Sequence, residues 1–197
     1  MPTMRNFQSI CVFCGASAGA DPIYVQRAAE MGQVLAQRNL RLVYGGGSIG
    51  LMGALAQATA DAGGEILSVI PRSLVVKEIT GESFGELVLC DTMLERKEIM
   101  AEGSDAFVTM PGGYGTLDEL FEMLTWTQLG IQSKPVGLLN INGYFDPLIA
   151  LVDSMVASGF VRETHRALLI SDDDPRSLLD RLAQQELPNS IIEWKKD

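Results

Sequence analysis

Short apolar runs alternate with longer amphipathic stretches along almost the whole chain. Ser9 to Cys14, Leu40 to Tyr44, Ile66 to Ile70, Leu87 to Cys90, Ala106 to Met110, Pro135 to Leu139 and Leu168 to Ser171 read as strands. Each is too short for a helix and is bounded by turn residues. Helices are predicted between them. The first runs from Asp21-Pro22 to about Arg38, with Asp21 as N-cap and proline at its favoured first position. Gly50 to Ala62 follows, stopped by Gly63-Gly64. Further helices are expected over Thr92 to Glu102, Leu117 to Ile131 and Tyr144 to Ser158, and from an Asp174-Pro175 cap to about Gln185. Arg72 to Glu86 shows no clear period and predicts a loop with a short helix. Asn189 to Asp197 reads as a poorly ordered or partner-dependent end.

Strands separated by helices imply parallel βαβ units with right-handed crossovers. The expected fold class is α/β: a single-domain, Rossmann-like, doubly wound parallel sheet with helices on both faces. At 197 residues the chain suffices for one sizeable core and is short for two.

Composition narrows the function. A formal charge of -10 disfavours nucleic acid as a partner, because the basic residues are scattered and Arg96-Lys97 is the only internal basic pair. No apolar run approaches the roughly 20 residues that span a bilayer. Met1 to Asn6 shows no signal-peptide pattern, so a cytoplasmic location is expected and no membrane partner. Cys11 and Cys14 form a C-x-x-C, but they lie on a strand, where residues three apart face opposite sides. They read as core residues, as does Cys90. His165 is the only histidine, which excludes multi-histidine metal sites. Asp172-Asp173-Asp174 is explained by helix capping ahead of Pro175.

Three Gly-rich segments follow strands, where open parallel sheets bind ligands. They are Cys14-Gly15-Ala16-Ser17, Gly45-Gly46-Gly47-Ser48-Ile49-Gly50 and Pro111-Gly112-Gly113-Tyr114-Gly115-Thr116. The second fits G-x-G-x-x-G, yet it follows the second strand, and the next strand ends Ile70-Pro71-Arg72 with no acid to hold a ribose. A dinucleotide site is disfavoured. The third presents backbone N–H groups at a helix start, which suits a phosphate. It continues Leu117-Asp118-Glu119, and two readings stand for Glu119. Thr116 and Glu119 have the spacing of a capping box; Glu119 also sits beside the anion loop, where a carboxylate serves catalysis. Met93, Arg96, Lys97 and Met100 fall at spacings that share one helix face. The helix from Leu117 carries a surplus of apolar positions, including Phe121 and Trp126, which suggests either a homodimer contact or full burial.

These motifs together resemble the Lonely Guy (LOG) family of phosphoribohydrolases. Pro111 to Glu119 matches the family's P-G-G-x-G-T-x-x-E without departure, and Met93 with Arg96-Lys97 resembles its second motif. Gly45 to Gly53 and Glu78-Ile79-Thr80-Gly81-Glu82 also resemble family segments. The resemblance implies hydrolysis of N6-modified adenosine 5′-monophosphates to a free cytokinin base and ribose 5-phosphate, without metal or cofactor. It places catalysis on Arg96 and Glu119. It places substrate contacts on Glu78, Arg96, Lys97, Gly112, Gly113, Tyr114, Gly115, Thr116, Leu117, Asp118, Glu119 and Thr125. It further implies a homodimer or an assembly of dimers. A general AMP nucleosidase, or a nucleotide-binding carrier that leaves its ligand intact, would use the same loops. Related sequences carry the label lysine decarboxylase, but none of Lys77, Lys97 and Lys134 lies in a pattern that suits a pyridoxal Schiff base.

Overall fold

The computed structural model describes residues 4–75 and 83–190. Seven strands form one parallel sheet in the order β4-β3-β2-β1-β5-β6-β7. They are β1 (Ser9–Phe13), β2 (Arg41–Tyr44), β3 (Ile66–Pro71), β4 (Glu86–Cys90), β5 (Ala106–Thr109), β6 (Val136–Leu139) and β7 (Leu169–Asp172). The helices are α1 (Pro22–Gln37), α2 (Gly50–Asp61), α3 (Met93–Glu102), α4 (Tyr114–Leu129), α5 (Asp146–Ala157), α6 (Glu163–Arg166) and α7 (Pro175–Gln184). The doubly wound α/β fold expected from the alternation is present. Residues 76–82, with Lys77 and Glu78, lie outside the described residues, as do 191–197.

The sheet is buried on both faces, so its central strands read as continuous apolar runs. Ile10, Val12 and Cys14 pack on one side with α1, α2 and α7. Cys11 and Phe13 pack on the other with α3, α4 and α5. The cysteines therefore face opposite ways, as strand geometry requires, and all three thiols are free and buried. Phe13 stacks on Phe107 of β5 with centroids 5.9 Å apart, locking the two central strands together. Each such fully buried side chain contributes about 1.5–3 kcal/mol relative to exposure.

Local signals decided most boundaries. The Asp21 side chain accepts from the Ile23 N–H and Asp174 from the Ser177 N–H, so both predicted caps form. Asp172 accepts from the Ser177 hydroxyl and the Asp174 N–H, so two members of the acidic triplet, Asp172 and Asp174, fix the start of α7. The helix foreseen over Tyr144 to Ser158 is α5, which begins at Asp146 after a separate 3-10 turn at Ile141–Gly143, where Asn142 takes a left-handed φ of 52°. Two features differ from expectation. The short helix α6 is additional to the elements read from the sequence. The start of the tail is tethered: the His165 ring bonds the Asn189 carbonyl at 3.0 Å, and the Ser190 hydroxyl donates to the Leu129 carbonyl at 2.9 Å. No helix among the described residues is long and apolar enough to cross a membrane.

Candidate active site

The winding of the sheet reverses between β1 and β5, which are neighbours in space but have three strands between them in the chain. Such a switch point leaves a crevice beyond the strand ends. The loops leaving β1 and β5 are tied across it. The Gly15 N–H donates to the Pro111 carbonyl at 3.0 Å, and the Met110 N–H to the Phe13 carbonyl at 2.8 Å. A cavity of about 580 Å³ opens there, within the usual size of small-molecule sites.

The glycine loop runs directly into α4, and the helix starts earlier than expected. Its N-cap is Gly113, with no side-chain cap bond, and Tyr114 is the first helical residue. Thr116 is thus the third residue of the helix, which corrects the capping-box reading. The Thr116 hydroxyl instead lies under Gly112, where a Cβ would come within 2.1 Å of it. That close approach explains Gly112. Gly113 and Gly115 are different: a Cβ on either would meet no atom within 4 Å. Glycine in a helical first turn is costlier than alanine by up to about 1 kcal/mol, and no neighbouring protein atom requires it at 115. The first helical bond closes from the Leu117 N–H to the Gly113 carbonyl. The N–H groups of Tyr114, Gly115 and Thr116 therefore have no partner within the helix.

Arg96 and Glu119 reach the cavity from α3 and α4 and are 6% and 8% exposed. Arg96 is fixed by the ends of β2 and β3. Its Nη2 donates to the Gly45 carbonyl at 2.9 Å and its Nε to the Val69 carbonyl at 3.2 Å, while Nη1 rests against the Met93 sulfur at 3.7 Å. These bonds use only part of the guanidinium's five N–H donors. A Cβ on Gly45 would lie 1.8 Å from Nη2. The first glycine of G-x-G-x-x-G thus makes room for an arginine. Both charges bear on the Cys11 thiol from the same end of the sheet. Burial chiefly raises its pKa, Glu119 raises it further and Arg96 lowers it. Burial and then Glu119 likewise push up Cys14, which lines the cavity as a neutral thiol.

Arg96, Gly112, Gly113, Gly115, Thr116, Asp118 and Glu119 all line this cavity. Lys97 does not, which corrects the shared face: one residue further along a helix is a turn of about 100°. Met93, Arg96 and Met100 line the wall, while Lys97 pairs with Asp118 at 3.1 Å and Glu122 at 2.8 Å. Its burial would lower its pKa, but hydrogen bonds to Glu122 and Asp118 outweigh that and raise it. Tyr114, Leu117 and Thr125 line a separate concavity on the outer side of α4, bounded also by Phe121 and Trp126. Sequence reasoning missed Tyr24 and Tyr144, which line the main cavity although no local motif marks them.

Among the described residues no cluster of His, Cys, Asp or Glu is arranged to hold a metal ion. The two lysines among them stay clear of the cavity wall. Burial lowers the pKa of Lys134, a trait of catalytic lysines, yet its amine donates to the Ala101 carbonyl at 2.6 Å. Neither lysine is placed for a Schiff base in this cavity.

A family profile described as "Possible lysine decarboxylase" matches residues 52–182. "Probable cytokinin riboside 5′-monophosphate phosphoribohydrolase LOGL2" of Oryza sativa subsp. japonica is 44% identical, over 100% of this chain and 82% of its own length. "Cytokinin riboside 5′-monophosphate phosphoribohydrolase LOG2" of Arabidopsis thaliana is 48% identical, over 92% of this chain and 85% of its own. Among solved structures, a molybdenum cofactor carrier protein of Chlamydomonas is similar with a TM-score of 0.67 at 21% identity, covering 92% of this chain and 98% of that one. At that identity the likeness speaks for the fold alone. Identity near one half across the chain, with the glycine loop, Arg96 and Glu119 gathered at one crevice, places the protein in the Lonely Guy family of cytokinin riboside 5′-monophosphate phosphoribohydrolases.

Proposed function

We propose that the protein hydrolyses the N-glycosidic bond of N6-modified adenosine 5′-monophosphates, releasing the free base and ribose 5-phosphate. One observation carries the reading. The uncapped start of α4 offers N–H groups flanked by two glycines with open space above them, beside a buried arginine and a buried carboxylate. A 5′-phosphate takes the N–H groups of Gly113, Tyr114, Gly115 and Thr116, aided by the helix dipole. Cleavage of the bond between C1′ and the base builds positive charge on the ribose. The Glu119 carboxylate stabilises that charge and orients the attacking water. Arg96, as a guanidinium, acts electrostatically on the phosphate or the departing base and not as an acid. Incubation with N6-isopentenyl-AMP and with AMP, followed by chromatography, tests the proposal. Release of free base from the modified nucleotide is expected. Binding without release would make the protein a carrier, and equal turnover of AMP a general nucleosidase.

We further propose that the active form is a homodimer packed through the outer side of α4. Thr125, which the family resemblance assigns to the substrate, is nine residues beyond Thr116, about 13 Å along the helix axis, and outside the main cavity. A second copy brings such a residue to a site that its own chain cannot supply. Tyr114 is 95% exposed on this side, next to half-buried Phe121 and Trp126. The Phe121→Arg variant should sediment as a folded monomer and lose at least about tenfold in kcat/KM, since a buried unpaired charge costs several kcal/mol at an interface. A fully active monomer, by analytical ultracentrifugation and assay, would contradict the shared site.

A further inference from the structure

Tyr144 is remote in sequence from the glycine loop, on the turn after β6, yet its ring lines the same cavity. Its hydroxyl donates to the Gly112 carbonyl at 2.6 Å. Two neighbours hold the ring edge-on: Phe145 with centroids 5.0 Å apart and Tyr24 at 5.9 Å. Phe145 is 1% exposed, which anchors this arrangement to the core. Tyr24 is braced in turn by the left-handed turn at Gly19, where a Cβ would lie 2.7 Å from its ring. A partly exposed tyrosine is thus held rigidly, with its hydroxyl on one carbonyl of the loop.

That carbonyl belongs to the peptide joining Gly112 and Gly113. With no Cβ on either side, glycine backbones accept many conformations at low steric cost. The peptide unit can rotate between two opposed orientations. A trans peptide is planar, so its C=O and N–H point in opposite directions, and no peptide among the described residues is cis. Holding the Gly112 oxygen on Tyr144 therefore directs the Gly113 N–H away from Tyr144. We propose that Tyr144 is a positioning residue that selects this orientation. It adds the Gly113 N–H to those of Tyr114, Gly115 and Thr116 for phosphate binding. Rotated, the same peptide would turn its carbonyl oxygen toward a phosphate and repel it. The inference rests on the phosphate assignment made above.

The Tyr144→Phe variant keeps the ring and both edge contacts and removes only the hydroxyl. Calorimetry with the full chain should show Kd for ribose 5-phosphate weakened about tenfold, the worth of one hydrogen bond near the upper end of its net range. Kd for N6-isopentenyladenosine, which has no phosphate, should stay within about twofold. A general structural role would weaken both alike, and that result overturns the inference. The Gly113 amide resonance provides a second reading. Ribose 5-phosphate should shift it strongly in the wild type and weakly in Tyr144→Phe; equal shifts also overturn the inference. If the wild type does not bind ribose 5-phosphate, the phosphate assignment itself fails. If it binds and Tyr144→Phe binds equally well, only the positioning role fails.

Discussion

Replacing Glu119 by Gln should lower kcat for N6-isopentenyl-AMP by about 100- to 1,000-fold, the usual cost of removing one preorganised electrostatic group. KM should change by less than about threefold, because the carboxylate acts on charge that appears only in the transition state. The substitution keeps the volume of a side chain that is 8% exposed, so packing survives. It removes the charge and leaves an amide that still bonds. Folding should be intact by circular dichroism, with a thermal midpoint within a few degrees of wild type. The structure makes this a cleaner test than sequence did. Had Glu119 been the third residue of a capping box, its loss would have cost helix stability. It lies instead six positions into a helix whose N-cap is Gly113. A folded Glu119→Gln enzyme with near wild-type turnover would contradict the assignment.

The second large effect is expected at a residue that never touches substrate in this account. Gly45→Ala would place a Cβ 1.8 Å from the Arg96 Nη2. The guanidinium must then shift and give up its bond to the Gly45 carbonyl. A displacement of about 1 Å at a reacting group can cost a hundredfold in rate, and a loss of that order in kcat/KM is expected. Gly47→Ala is the matched control. Its Cβ would meet the Met52 Cε at 2.7 Å, the far end of a flexible side chain that can move aside. That variant should stay within about threefold of wild type. In an Arg96→Ala background, Gly45→Ala should add little, because both changes act through one side chain. Additive losses, or equal effects at 45 and 47, would detach Gly45 from Arg96. Steady-state kinetics of the four variants decide it.

The fold was largely legible because its signals are local. Strand length, the Asp21 and Asp174 caps and the Gly63-Gly64 stop each act within a few residues. The alternation that sends Cys11 and Cys14 to opposite faces also needs only the strand. The site was legible where a motif occupies one loop, as at Gly112 to Glu119. It was less so where function depends on direction. Helical spacing put Arg96 and Lys97 on one face, but only packing shows that Arg96 turns into the crevice while Lys97 pairs with Asp118 and Glu122. The start of α4 misled for a related reason. Thr116 has the chemistry of an N-cap, but its hydroxyl is already packed against Gly112. Tyr144 was invisible because its contact spans 32 residues. No local spacing encodes that meeting.

The central claim is that water attacks C1′ of a nucleoside 5′-monophosphate held at the β1/β5 crevice. Turnover of N6-isopentenyl-AMP in ¹⁸O-labelled water, read by mass spectrometry of both products, tests it most directly. The account predicts free N6-isopentenyladenine and ribose 5-phosphate in equal amounts, with one labelled oxygen in the sugar product and none in the base. Intact nucleotide recovered after prolonged incubation, or a sugar product without label, would contradict it.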